Sequence, residues 1–154
     1  MRTGLVGFGV GGRIFHLPYI QAAEEWELVG VVARSPQRIA EVAQLLPGTP
    51  VFESLDALID GGVDAVTITT PPETRRELVL RALERGVHVI ADKPFAPAAA
   101  TARELIAPAA RAGRKLIVPL GSGAEAALAR DVEAYTARTL LEVCAALNRT
   151  RQLP

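Results

Sequence analysis

The stretch GLVGFGVGGRIFHLP, residues 4–18, sets Gly7, Gly9 and Gly12 in a G-x-G-x-x-G spacing. A short apolar run, residues 2–6, precedes it, and a helix-compatible run, residues 12–23, follows. In that context each glycine has a physical task. Gly7 permits the tight turn, Gly9 lets the backbone approach a pyrophosphate, and Gly12 lets the helix pack closely on the strand. The N–H groups from about Val10 to Ile14 open the helix and point toward an anion. Gly7, Phe8, Gly9, Val10, Gly11, Gly12, Arg13 and Ile14 are therefore a candidate dinucleotide cradle, with Arg13 as a cation in reach of the phosphates. An ordinary strand-to-helix turn is the competing reading. His16, a lone histidine one turn in, reads as structural.

Working outward, apolar β-branched runs recur at 27–33, 63–69, 87–91 and 115–119, with a weaker one at 50–52. Unbroken apolar character suits strands covered on both faces, as in a parallel sheet. Helical stretches lie between them, at 36–46, 54–60, 73–85 and 97–112. Ser35-Pro36 is a cap followed by proline at the first helical position, and Gly86 is a C-terminal stop. Strict alternation of strand and helix predicts an α/β fold, a doubly wound parallel sheet of about six strands in the order 3-2-1-4-5-6. Gly121-Ser122-Gly123 reads as a short linker. Beyond it, Leu128, Val132, Tyr135, Leu140, Val143 and Leu147 give one apolar face to a single helix over roughly 124–149.

Ligands of such sheets sit beyond the carboxyl ends of the strands. The second strand ends Val32-Ala33-Arg34-Ser35, without the carboxylate that would hold a ribose 2′-hydroxyl. Arg34 and Ser35, with Arg38 one turn on, suit a 2′-phosphate. The expectation is an NADP preference, with a solvated Arg34 and NAD use as the alternative. The fourth strand ends Thr69-Thr70-Pro71-Pro72-Glu73-Thr74-Arg75, and the fifth ends Ala91-Asp92-Lys93-Pro94. Lys93 is the candidate catalytic residue, able to hydrogen-bond a substrate oxygen that gains charge. Thr69, Thr70, Pro71, Pro72, Arg75, Asp92 and Lys93 join the candidate cofactor contacts. A cis Lys93–Pro94 bond is a further expectation.

Composition narrows the class. The chain has 154 residues, 49% hydrophobic, with 17 basic and 17 acidic side chains. That charge balance gives no footprint for nucleic acid or an anionic membrane. One cysteine, Cys144, leaves no internal disulfide and suits a cytoplasmic setting. No secretory signal or spanning segment is expected, and no metal-ligand spacing stands out.

Together, GLVGFGVGGRIFHLP, TPPETRRELVLRALERGVHVIADKPF and KLIVPL resemble the glucose–fructose oxidoreductase, inositol dehydrogenase and MocA (Gfo/Idh/MocA) family over residues 2 to about 120. The resemblance implies an NAD(P)-binding Rossmann domain in which the lysine matched by Lys93 contacts substrate and cofactor. The family pattern after the fourth strand is T-P-N-x-x-H, and after the fifth E-K-P. Here Pro72, Arg75 and Asp92 stand at the asparagine, histidine and glutamate positions.

Family members are about twice as long, with a second domain that supplies the substrate pocket, the acid/base residue and the dimer interface. DVEAYTARTLLEVCAAL resembles the family's final helix. The expected organisation is thus a Rossmann domain (1–120), a linker (121–123) and a terminal helix (124–154) docked on the same domain. The substrate domain is expected to be cut out, by engineering or in a naturally short relative. A monomer is the simplest expectation, a non-native dimer the alternative. Three functions follow: an NADP(H)-binding module with little turnover, an active NADP-dependent sugar or polyol dehydrogenase, or an interaction protein with a vestigial turn. The first accounts for the most features.

Overall fold

The computed structural model describes residues 1–94, 97–126, 133–147, 150 and 152–154. Its contacts gather into two compact units, Met1–Thr101 and Ala102–Pro154.

The first unit is the alternating α/β domain. In chain order it contains β1 (Arg2–Val6), a π-helical turn (Gly11–His16), α1 (Leu17–Ala22), β2 (Glu27–Val32) and α2 (Pro36–Leu45). Then come β3 (Val51–Phe52), α3 (Leu55–Asp60), β4 (Ala65–Ile68), α4 (Pro72–Glu84) and β5 (His88–Ala91). All five strands are parallel, in the order β3-β2-β1-β4-β5. The central strands are apolar because helices cover both faces. On one face Leu5, Phe8 and Val31 pack with Leu17, Ile20, Val42 and Leu46. α3 and α4 touch the sheet as well, and they bury Leu58, Ile59, Val79, Ala82 and Leu83.

Local signals set the helix starts. Ser35 Oγ accepts from the Arg38 N–H at 3.3 Å and Ser54 Oγ from the Ala57 N–H at 3.1 Å, so each satisfies a helix donor that has no carbonyl partner. Pro18 falls in the first turn of α1, where its missing N–H breaks no bond, and the helix expected over 12–23 divides there into a wide turn and α1.

The second unit departs from expectation. α5 (Ala99–Arg111) runs from the first unit into it, and β6 (Leu116–Pro119) follows. β6 does not extend the main sheet as a sixth strand. It pairs in parallel with β7 (Ala134–Ala137) in a separate two-stranded sheet. The expected linker is a 3-10 turn at Leu120–Ser122 leading into α6 (Gly123–Ala126). The single helix expected over 124–149 is interrupted by β7 and resumes as α7 (Leu140–Leu147). Propensity and pairing explain the break. Tyr135 and Thr136 favour extended backbone, and the Leu116 N–H donates to Glu133 O while the Thr136 N–H donates to Pro154 O. A fresh helix start then follows, because Thr139 Oγ1 accepts from the Glu142 N–H at 3.2 Å and Glu142 accepts from the Arg138 N–H at 2.7 Å. Leu128 and Val132 lie outside the described residues. No helix among the described residues is long and apolar enough to cross a membrane.

Candidate functional site

Because the strands are parallel, their carboxyl ends share one edge. Backbone bonds carry the ladder past each strand and fix the ends side by side. The Gly7 N–H donates to Val32 O (3.0 Å), Thr69 to Val6 O (2.9 Å) and Asp92 to Ile68 O (3.0 Å).

The glycine turn sits at the centre of this edge. Gly7 has φ +96°, a conformation that side chains disfavour. A Cβ on Gly12 would stand 2.4 Å from Gly7 O and 2.9 Å from Thr69 Oγ1, so only glycine lets the helix close on the strand. A Cβ on Gly9 would meet nothing within 4 Å. The three glycines thus divide as the spacing suggests, into a turn, an open front and a close packing contact. That is the shape a pyrophosphate needs, and the residues present fit a dinucleotide. Thr69 holds the turn, since its hydroxyl lies 3.2 Å from Val6 O and 3.0 Å from Gly7 O.

Phe8 is corrected. Its side chain is 2% exposed in the core cluster, so only its backbone can face a ligand. Val10 and Ile14 are exposed beside the turn. Pro71 and Pro72 form the start of α4, where Thr74 Oγ1 donates to Thr70 Oγ1 or Pro71 O, both at 2.9 Å.

Arg75 is the second correction. It is 3% exposed and points into the protein. Its guanidinium donates to Thr70 O at 2.7 Å and to the carbonyls of Asp92 and Pro94, with Asp92 Oδ2 3.9 Å away. It ties the ends of β4 and β5 together, so its guanidinium is engaged by the fold. At the position where the resemblance implies a histidine, Arg75 is a buried cation.

Asp92 gathers more than its motif suggests. Oδ1 accepts the Lys93 N–H at 2.8 Å and lies 3.4 Å from His16 Nε2. A Cβ on Gly11 would stand 2.9 Å from Oδ2. So Asp92 and His16 join the fifth-strand loop to the glycine turn, a link that sequence reading missed. The Lys93–Pro94 bond is cis. Lys93 is exposed, and its ammonium has no partner among the described residues.

At the tip of β2, Arg34 is exposed and has no ion pair or hydrogen bond among the described residues. Ser35 caps α2. Arg38 and Arg13 converge on a residue the sequence reading passed over, Glu41, whose Oε2 lies 2.6 Å from Arg38 and 3.2 Å from Arg13. The Arg38 hydrogen bond, helped by both positive charges, holds the Glu41 carboxyl below its ordinary value. The only advance signal for it was the three-residue spacing from Arg38. No group of three or more His, Cys, Asp or Glu among the described residues could hold a metal ion.

Comparison with known proteins agrees with this geometry. The model of an oxidoreductase family with an NAD-binding Rossmann fold, Gfo/Idh/MocA, matches residues 1–120. UDP-N-acetylglucosamine 3-dehydrogenase from Acidithiobacillus ferrooxidans is 41% identical over 106 residues, covering 69% of this chain and 32% of that protein. Its crystal structure matches 75% of this chain and 36% of its own with a TM-score of 0.66. The scyllo-inositol 2-dehydrogenase (NADP(+)) IolW of Bacillus subtilis is 28% identical, covering 68% of this chain and 28% of its own length. The chain spans about three-tenths of the length of the curated relatives it matches. By its glycine turn, its strand order and the extent of the family match, this chain belongs to the Gfo/Idh/MocA oxidoreductase family and carries its NAD(P)-binding Rossmann domain.

Proposed function

We propose that this chain binds NADP(H) in preference to NAD(H) and, taken alone, turns over little substrate. The observation that carries the preference is the tip of β2, where an exposed Arg34, without a partner among the described residues, stands beside Ser35 and residues 32–35 include no carboxylate. A guanidinium can pair with a 2′-phosphate through two parallel hydrogen bonds, whereas a carboxylate there would repel it. The relative IolW, whose name specifies NADP(+), lends the reading support.

In this reading Gly7, Gly9 and Gly12 shape the pyrophosphate cradle, and Thr69 keeps the turn in register. A bound nicotinamide would supply or accept a hydride. Lys93 would hydrogen-bond the substrate oxygen, with Asp92 fixing its backbone. A single exposed lysine neither orients a substrate nor excludes water, hence the low turnover. The experiment is a pair of fluorescence titrations, NADPH and NADH, on the chain and on Arg34→Ala. The expected result is tighter NADPH binding that falls about tenfold in the variant, with NADH little changed. Equal or tighter NADH binding by the unaltered chain would overturn the preference.

A further inference from the structure

We infer that Glu41 limits how strongly this chain prefers a 2′-phosphorylated dinucleotide, by engaging two of the three arginines that border the β2 tip. The inference rests on the NADP(H) reading above.

Three guanidiniums border this edge, and they come from different elements. Arg34 follows β2, Arg38 lies in the first turn of α2, and Arg13 reaches over from the glycine turn. Among the described residues, Arg34 alone of them has no partner. Arg13 and Arg38 both meet Glu41 Oε2, at 3.2 and 2.6 Å, while Gln37 Nε2 donates to Oε1 at 3.2 Å. Glu41 is the carboxylate that Arg13 and Arg38 share, and Glu53 follows β3, the strand that neighbours β2. A phosphate arriving beside Arg34 meets two arginines already held by a carboxylate. It must either share them or loosen their ion pairs. It also feels the repulsion of Glu41 itself, in surroundings that are only partly exposed. A ribose with a free 2′-hydroxyl has no net charge at that position, so Glu41 is close to neutral toward it. The carboxylate thus acts on the difference between the two cofactors rather than on dinucleotide binding as a whole.

A purely structural role makes the opposite forecast. If Glu41 only bridges the glycine turn to α2, its loss disturbs both cofactors alike. The variant to use is Glu41→Gln, which removes the charge and keeps the size and an accepting oxygen. Glu41→Asp keeps the charge and serves as a second variant, with thermal unfolding to compare their folding.

The probes are NADPH, NADH, and the nicotinamide-free pair 2′,5′-ADP and 5′-AMP, titrated by calorimetry. In Glu41→Gln, NADPH and 2′,5′-ADP should bind about three- to fivefold tighter, the size of an exposed ion-pair effect, while NADH and 5′-AMP stay within about twofold. Glu41→Asp should show a smaller change. A parallel loss for all four ligands, or a preference no greater in Glu41→Gln than in the parent chain, overturns the inference. The parent chain reports separately on the NADP(H) reading. If it binds NADPH and NADH equally but Glu41→Gln favours NADPH, the preference fails and the Glu41 brake stands. If the parent prefers NADPH and Glu41→Gln does not increase the preference, the brake fails and the preference stands.

Discussion

The two ends of the five-stranded sheet handle their arginines differently. Around α3, α4 and the start of β1, the arginines are engaged with partners of the fold itself. Arg2 donates to Gly62 O at 2.7 Å and Gly61 O at 3.2 Å, Arg81 pairs with Asp56 at 2.8 Å, and Arg85 with Asp60 at 2.6 Å. At the carboxyl ends, Arg34 and Lys93 have no partner among the described residues, and Arg13 and Arg38 share one carboxylate. The whole chain has zero formal net charge, yet two exposed cations at this edge, Arg34 and Lys93, are left without a partner among the described residues. The difference separates charge used to hold the fold from charge left available to an anion. Substitutions on the first side should alter stability and spare binding, and on the second the reverse.

Arg75 breaks that division, and its loss should have the largest effect. It lies at the carboxyl edge, yet it is buried and spent on three backbone carbonyls. Arg75→Met would leave those acceptors without a donor at the junction of β4 and β5. Each buried unmet group costs about 1–3 kcal/mol, so urea unfolding should show a loss of about 3 kcal/mol or more. A loss under about 1 kcal/mol would show that water or another donor takes its place.

The glycines divide in the same way. Gly12→Ala puts a methyl 2.4 Å from Gly7 O, which cannot move without opening the turn. Its expected cost is about 2–3 kcal/mol in urea unfolding, as for other overpacked sites. Gly9→Ala adds the same methyl where nothing lies within 4 Å. It should leave stability within about 0.5 kcal/mol and weaken NADPH about tenfold, because the methyl occupies the front a pyrophosphate would approach. Unchanged NADPH affinity in Gly9→Ala would move the phosphates away from this turn.

Much of this was legible because it is local. The glycine spacing, the Ser35-Pro36 cap and the unbroken apolar strands act through backbone geometry and short-range packing, and the five-stranded order follows from them. What escaped depends on distant partners. Nothing adjacent to Arg75 says that it turns inward, and nothing near Glu41 says that Arg13 will join Arg38 on it. His16 meets Asp92 across 76 positions of sequence. The tail failed for another reason. Apolar residues at steps of three to five between 128 and 147 suit one helix with Tyr135 on its face. Thr139-x-x-Glu142 was a readable capping signal, and it marks a helix beginning where an uninterrupted one was expected. The sixth strand lies where its apolar run places it but joins β7, since a strand's pattern tells which residues extend and not which neighbour they join.

The smallest effect should come from Asp56, and it sharpens the contrast between the two ends. The Arg81 hydrogen bond, aided by the charges of Arg81 and Arg85, holds this carboxyl below its ordinary value of 3.8. A carboxyl whose folded value is depressed binds fewer protons in the folded state than in the unfolded state. Its stabilisation is therefore fully present above the ordinary value and is lost as the pH falls through the lower, folded one. The group is open to solvent, so the gain is small and weakens with salt. Asp56→Asn should lower the unfolding temperature slightly at pH 7. The gap to the parent chain should close as the pH drops below the carboxylate range, and NADPH affinity should not change at any pH where both fold. Glu41 has its value lowered in the same direction by arginines, yet its removal should register in ligand discrimination. If Asp56→Asn altered the NADPH-to-NADH ratio as Glu41→Gln does, the two ends would not be electrically independent. The discrimination would then arise from the field of the whole domain rather than from the β2 tip.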